Sequence, residues 1–178
     1  MEEKQPSVLS NGLLYGAITG IALILFSLIL FLTDLYLNKT MSWISYLFLV
    51  GGMLYGTLEY RKKYTNGFIT YGKAFISCFW IGLFAGIIGS LYMFVFAKYI
   101  HPGFVQELLD QARTNIMTTN PNMSDEQVEQ AVSISAKFLS PGMMAVWGLV
   151  AYAAISAVIA LILAIFIKKE DPSLKTTI

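Results

Sequence analysis

The stretch Met143–Ile167 reads MMAVWGLVAYAAISAVIALILAIFI, 25 residues without an Asp, Glu, Lys or Arg. A helix needs about 20 apolar residues to cross hydrocarbon ~30 Å thick, so this one is long enough. Three more stretches share the property: Leu13–Leu32, Met41–Leu58 and Ala74–Ala97, of 20, 18 and 24 residues. The four hold 87 of the 178 residues, which leaves every charged side chain in the other 91. Charged residues make up 13% of the chain, about half the share in a soluble domain. The expected fold class is therefore all-α: a polytopic membrane protein in a single domain over residues 1-178. Its four transmembrane helices are expected at approximately 12-33, 41-59, 73-98 and 142-167. A soluble enzyme is not.

The remaining counts narrow the chemistry. A net charge of +1 gives no field that would gather nucleic acid. Cys78 is the one cysteine and His101 the one histidine, so neither an intrachain disulfide nor a thiolate or multi-histidine metal cluster can form. No nucleotide loop, HExxH or nucleophile–histidine pairing is present, and no catalytic residue, cofactor or metal is expected. The first apolar run is longer than a signal-peptide core and lacks a small-residue cleavage pattern, so it reads as a retained span.

Basic residues orient the spans. The first, third and fifth polar segments carry Lys4; Arg61, Lys62, Lys63 and Lys73; then Lys168, Lys169 and Lys175. The second and fourth carry Lys39, Lys98, Arg113 and Lys137. Eight against four puts both termini in the cytoplasm. Tyr36, Trp43, Tyr99 and Trp147 would then mark the outer interface, and Tyr60, Tyr64 and Tyr71 the inner one.

Between the third and fourth apolar stretches, His101-Pro102-Gly103 is a strong helix stop. The segment 102-140 reads as an extracytoplasmic helical hairpin. Phe104, Val105, Leu108, Leu109, Ala112 and Ile116 form one helical stripe; Val128, Ala131, Val132, Ser135, Phe138 and Leu139 form the other. Ser124-Asp125-Glu126-Gln127 has the capping-box pattern, and Ser140-Pro141 opens the last span. Two short amphipathic helices are marginal alone, so Phe104, Leu108, Phe138 and Leu139 are the candidate interaction surface.

Small residues recur four apart in every span: Gly12, Gly16 and Gly20; Gly52 and Gly56; Gly82 and Gly86, with Gly89 beside them; and Ser156, Ala160 and Ala164. Such stripes let helix backbones approach closely in lipid. They are expected to build the bundle, with homo-oligomer contacts as the alternative. Gly16–Ile21 also resembles Gly82–Ile87, as a duplicated hairpin would. Span-end charges form two candidate groups. Glu59 can clasp Lys62, Lys63 or Lys73, and Asp34 and Lys98 form the corresponding outer pair.

The full chain resembles a Bacteroidota membrane-protein family known as domain of unknown function 4199. The likeness is carried by Tyr15-Gly16-x-x-x-Gly20, Thr70-Tyr71-Gly72-Lys73-Ala74-Phe75, Ile100-His101-Pro102-Gly103-Phe104, Met123–Glu129, Ser140-Pro141 and Lys168-Lys169. The resemblance implies a bacterial inner-membrane location and supplies no catalytic or binding residue.

Three function classes follow. The first is a non-catalytic scaffold or accessory subunit, whose outer hairpin meets an envelope protein partner. The second is a small oligomeric permease or channel, which would rely on Thr19, Ser27, Ser77, Ser90 and Ser156. The third is a lipid-interacting protein. The orientation has a direct test. Reporter fusions at Asn66 and Asn120 should report cytoplasm and exterior respectively, and a cytoplasmic signal at Asn120 would overturn the assignment.

Overall fold

The computed structural model describes residues 7–171, except for the side chains of Lys39 and Ser42. Lys4 and Lys175, and both chain ends of the orientation argument, lie outside the described residues. The chain is all-α. Its helices are α1 (Val8–Leu32), α2 (Lys39–Tyr64), α3 (Tyr71–Val95), α4 (Phe104–Thr119), α5 (Asp125–Phe138) and α6 (Pro141–Ile167). A π-helical turn, Phe96–Ile100, extends α3. By length and composition Val8–Leu32, Tyr71–Ile100 and Pro141–Ile167 are each able to cross a membrane. α2 is as long, with 26 residues, and carries its charges at its two ends.

Local chemistry sets the helix ends. The Ser7 hydroxyl accepts from the Ser10 amide at 3.1 Å and starts α1. The Asn38 side chain accepts from the Thr40 and Met41 amides and starts α2. Each satisfies donors that the first helical turn leaves open. The turn between α2 and α3 passes through Asn66 and Gly67 at φ 50° and 83°, a left-handed path that these two residue types tolerate best.

The chain divides into two compact units, Met1–Gly89 with Leu149–Ile178, and Ser90–Gly148. In the first, Leu49, Met53, Ile81, Ala85, Ala160, Ala164 and Ile167 form the core. The glycines determine how closely its helices approach. A Cβ added at Gly12, Gly16 or Gly20 would fall 2.5, 2.6 or 3.0 Å from the Cβ of Trp80, Phe84 or Ile88. The partner advances four residues with each glycine, so α1 and α3 run in the same direction. On α2, a Cβ at Gly56 would meet the Tyr15 Cβ at 2.7 Å, and one at Gly52 would meet the Thr19 Cβ at 2.9 Å. Here the order reverses, and α1 and α2 are antiparallel. α3 and α6 are antiparallel too: Gly82 faces Ser156 and Gly86 faces Tyr152, with 2.6 Å between the added Cβ and the partner's Cβ in each case.

In the second unit α4 and α5 pack together. Phe104, Val128 and Val132 are buried, and the Arg113 guanidinium donates to the Glu129 carboxylate across the pair. α5 starts on a complete capping box. The Gln127 amide donates to the Ser124 hydroxyl, and the Gln127 side-chain oxygen accepts from the Ser124 amide at 3.1 Å.

The glycine contacts give graded expectations. Gly16→Ala would press on the Phe84 Cβ and, at 2.8 Å, on the Ile81 carbonyl oxygen. Overpacking of this kind costs about 1–3 kcal/mol. Gly89→Ala meets only the Tyr152 ring at 3.9 Å, and Gly51→Ala meets open space. Thermal unfolding in detergent should show Gly16→Ala well below both controls.

Candidate functional site

Three places concentrate polar side chains, and each can be built from its own elements. The first lies inside the first unit. Thr57 of α2 is fully buried, and its hydroxyl donates to Ser77 Oγ of α3 at 3.1 Å. Cys78 Sγ lies 3.2 Å from the same hydroxyl and donates to the Met53 carbonyl at 3.8 Å. Asn11 of α1 donates to the Gly56 carbonyl at 3.1 Å. Thr19 follows the pattern usual for hydroxyls in helices, donating back to the Tyr15 carbonyl at 2.7 Å. The Ser156 hydroxyl is fully buried against Gly82 and has no hydrogen-bond partner among the described residues.

The second place is the end of that unit where α2 stops and α3 starts. Glu59 pairs with Lys63 at 2.8 Å, one helical turn on. The Glu59 carboxylate holds the Lys63 ammonium above the usual lysine range. Arg61 instead crosses to α6 and donates to the Ile167 carbonyl at 2.7 Å. Beyond α6 the chain lies beside the α2–α3 turn. The Ile69 amide donates to the Lys169 carbonyl at 2.8 Å, and the Lys169 amide to the Ile69 carbonyl at 2.9 Å. Together these segments form an open cavity of about 490 Å³ lined by Thr65, Phe68, Ile69, Thr70, Lys73, Lys169, Glu170 and Asp171. Lys73 therefore faces this cavity rather than Glu59. The Lys169 ammonium stands over the Phe68 ring, 5.4 Å from its centre.

The third place is in the second unit. His101 Nε2 lies 3.0 Å from the Glu107 carboxylate. Phe104 stands edge-on to Phe96, with ring centres 5.3 Å apart. Lys98 lies over the rings of Phe94 and Tyr99, at 5.2 and 5.3 Å. Asp34, its expected outer counterpart, sits in the turn after α1 at φ 56°. Of the four candidate surface residues, Phe104 is buried, Leu108 and Leu139 are half-buried, and Phe138 is exposed. Met117 and Ile134, which the stripe reading left out, are exposed with it.

Residues 14–169 match the family described as Protein of unknown function (DUF4199). The chain belongs to this family. No curated protein and no solved structure matches it. In this DUF4199 chain no group of three or more His, Cys, Asp or Glu side chains, among the described residues, is placed to hold a metal ion.

From the sequence, Ser77 stands only as a polar residue that a channel would use, Cys78 as a lone thiol with no disulfide partner, and Asn11 is not singled out. The missed signal is a pair of adjacent small polar residues, Ser77-Cys78, on a helix whose neighbour carries a lone Thr57. Thr57→Val keeps the shape and removes the shared hydroxyl. It should lower stability in detergent by about 1 kcal/mol, the usual scale of a hydrogen bond between membrane helices. Thr57→Ser should restore it, as thermal unfolding can check.

Proposed function

We propose that this DUF4199 chain is a non-catalytic scaffold or accessory subunit of the bacterial inner membrane. Four spans, with α2 crossing over Met41–Leu58, bring both termini to the cytoplasm and leave α4 and α5 outside as a helical hairpin. The observation that carries the reading is where the polar groups of the first unit go. Asn11, Thr19, Thr57, Ser77 and Cys78 are all engaged in bonds within the chain. A transport route needs such groups facing a passage; here Asn11, Thr57, Ser77 and Cys78 join helices, Thr19 bonds within α1, and the Ser156 hydroxyl is buried against Gly82.

The hairpin supports the partner half of the reading. It exposes Met117, Ile134 and Phe138 on a segment with Glu107, Asp110, Asp125, Glu126 and Glu129 against Arg113 and Lys137. Helices that lie on membranes carry the opposite bias, lysine and arginine on the polar face. The chemistry suits an envelope protein that presents apolar and basic residues.

Replacing residues 102–139 by a short flexible linker tests this. The truncated chain should still insert and should lose a stoichiometric partner that the intact chain keeps when purified from its own membrane. Retention of that partner, or ion or solute flux through reconstituted intact protein, would overturn the reading.

A further inference from the structure

We propose that the cavity between the α2–α3 turn and the chain after α6 binds the phosphate–ammonium headgroup of a zwitterionic phospholipid. The proposal rests on the membrane placement of α3 and α6 and is independent of any partner of the hairpin.

The site is held in shape before any ligand arrives. Two backbone bonds join Ile69 to Lys169, and Arg61 ties the end of α6 to α2. The cavity volume of about 490 Å³ lies within the range of small-molecule sites, roughly 300–1,000 Å³. Its place along the chain matches the depth of a headgroup. The charge-free stretch of α3 begins at Ala74, directly after Lys73, and that of α6 ends at Ile167, two residues before Lys169. An acyl chain can follow either helix from there.

The lining selects the chemistry. Lys73 and Lys169 supply two cations, and Thr65 and Thr70 line the same cavity, the Thr65 hydroxyl donating to the Arg61 carbonyl at 2.9 Å. Thr70 also closes the first turn of α3 by accepting from the Lys73 amide at 3.4 Å, which brings the positive end of that helix to the same place. Gly72 leaves the approach open, with nothing within 4 Å of its Cβ direction. Glu170 and Asp171 line the same cavity and add negative charge to it. A free phosphate dianion would meet two carboxylates there, whereas a phosphodiester that carries its own ammonium meets both signs. Phe68 and Ile69 give the apolar wall that the glycerol end requires.

Native mass spectrometry of the intact chain in detergent, with added phosphatidylethanolamine, phosphatidylglycerol or soluble phosphoethanolamine, tests this. Phosphatidylethanolamine should be retained over phosphatidylglycerol. Lys73→Gln with Lys169→Gln should weaken that retention about tenfold, the scale of losing hydrogen bonds to charged groups. Lys168→Gln, whose residue does not line the cavity, should leave it unchanged. Should the double variant fail to fold, Thr70→Val carries the same expectation in milder form. Equal retention of the two lipids, equal retention by the double variant and Lys168→Gln, or soluble phosphoethanolamine competing as well as the lipid would each overturn the assignment.

Discussion

The first unit depends on how closely α1 can approach α3 at Gly16. There the α3 surface presents a carbonyl oxygen, that of Ile81, as well as the Phe84 Cβ. A side chain can move aside, but a helix backbone cannot. In hydrocarbon the gain from burying apolar surface is absent, because lipid tails are as apolar as the helices. Attraction must then come from many short contacts, each individually small, and these need bare backbone on at least one side. Gly12 and Gly20 extend that strip one turn either way. Ile81, fully buried in the middle, is the residue that all of this surrounds.

The same device recurs with the partners exchanged. On α1, Tyr15 and Thr19 lie on Gly56 and Gly52 of α2; on α6, Tyr152 and Ser156 lie on Gly86 and Gly82 of α3. In each pair an aromatic ring and a small hydroxyl residue, four apart, straddle two glycines four apart on an antiparallel neighbour. The likeness seen in the sequence was a different one, between Gly16–Ile21 and Gly82–Ile87. Those two segments pack against different helices: Gly16 and Gly20 against α3, Gly82 and Gly86 against α6. The recurring unit is thus a helix pair. It equates α1 with α6 and α2 with α3.

Much of this was legible where the signal is local. The charge-free stretches mark the long helices, the Ser124–Gln127 pattern starts α5 as written, and His101-Pro102-Gly103 separates α3 from α4. The glycine spacing marked the contact faces, although a spacing cannot name the helix on the other side. Features that need two distant segments were invisible. Nothing near Arg61 in sequence announces that it reaches Ile167 rather than a neighbouring acid. Asn11 gives no hint of Gly56. Glu59 had three lysines within reach on paper; the helix repeat favours the one four residues later, and Lys63 is its partner. The π-helical turn at Phe96–Ile100 leaves no compositional trace. Phe104 read as an outward anchor because a stripe position does not say which of two sides it serves, and here Phe96 and His101 take it up.

The end of α6 shows why the polar chemistry gathers where it does. A helix leaves its last carbonyls without intrahelical donors, and near hydrocarbon such groups are costly. α6 solves this with help from far along the chain. The Ala164 carbonyl accepts from the Lys168 amide at 3.0 Å, the Ile167 carbonyl from Arg61, and the Lys169 backbone pairs in both directions with Ile69. The residues that close the helix are also the ones that wall the cavity. Closing α6 draws the α2–α3 turn, with Thr65, Phe68 and Thr70, against Lys169, Glu170 and Asp171. A pocket of mixed charge is therefore a direct result of satisfying backbone groups at a helix end, and its lysines stand there because span ends are where lysine is tolerated.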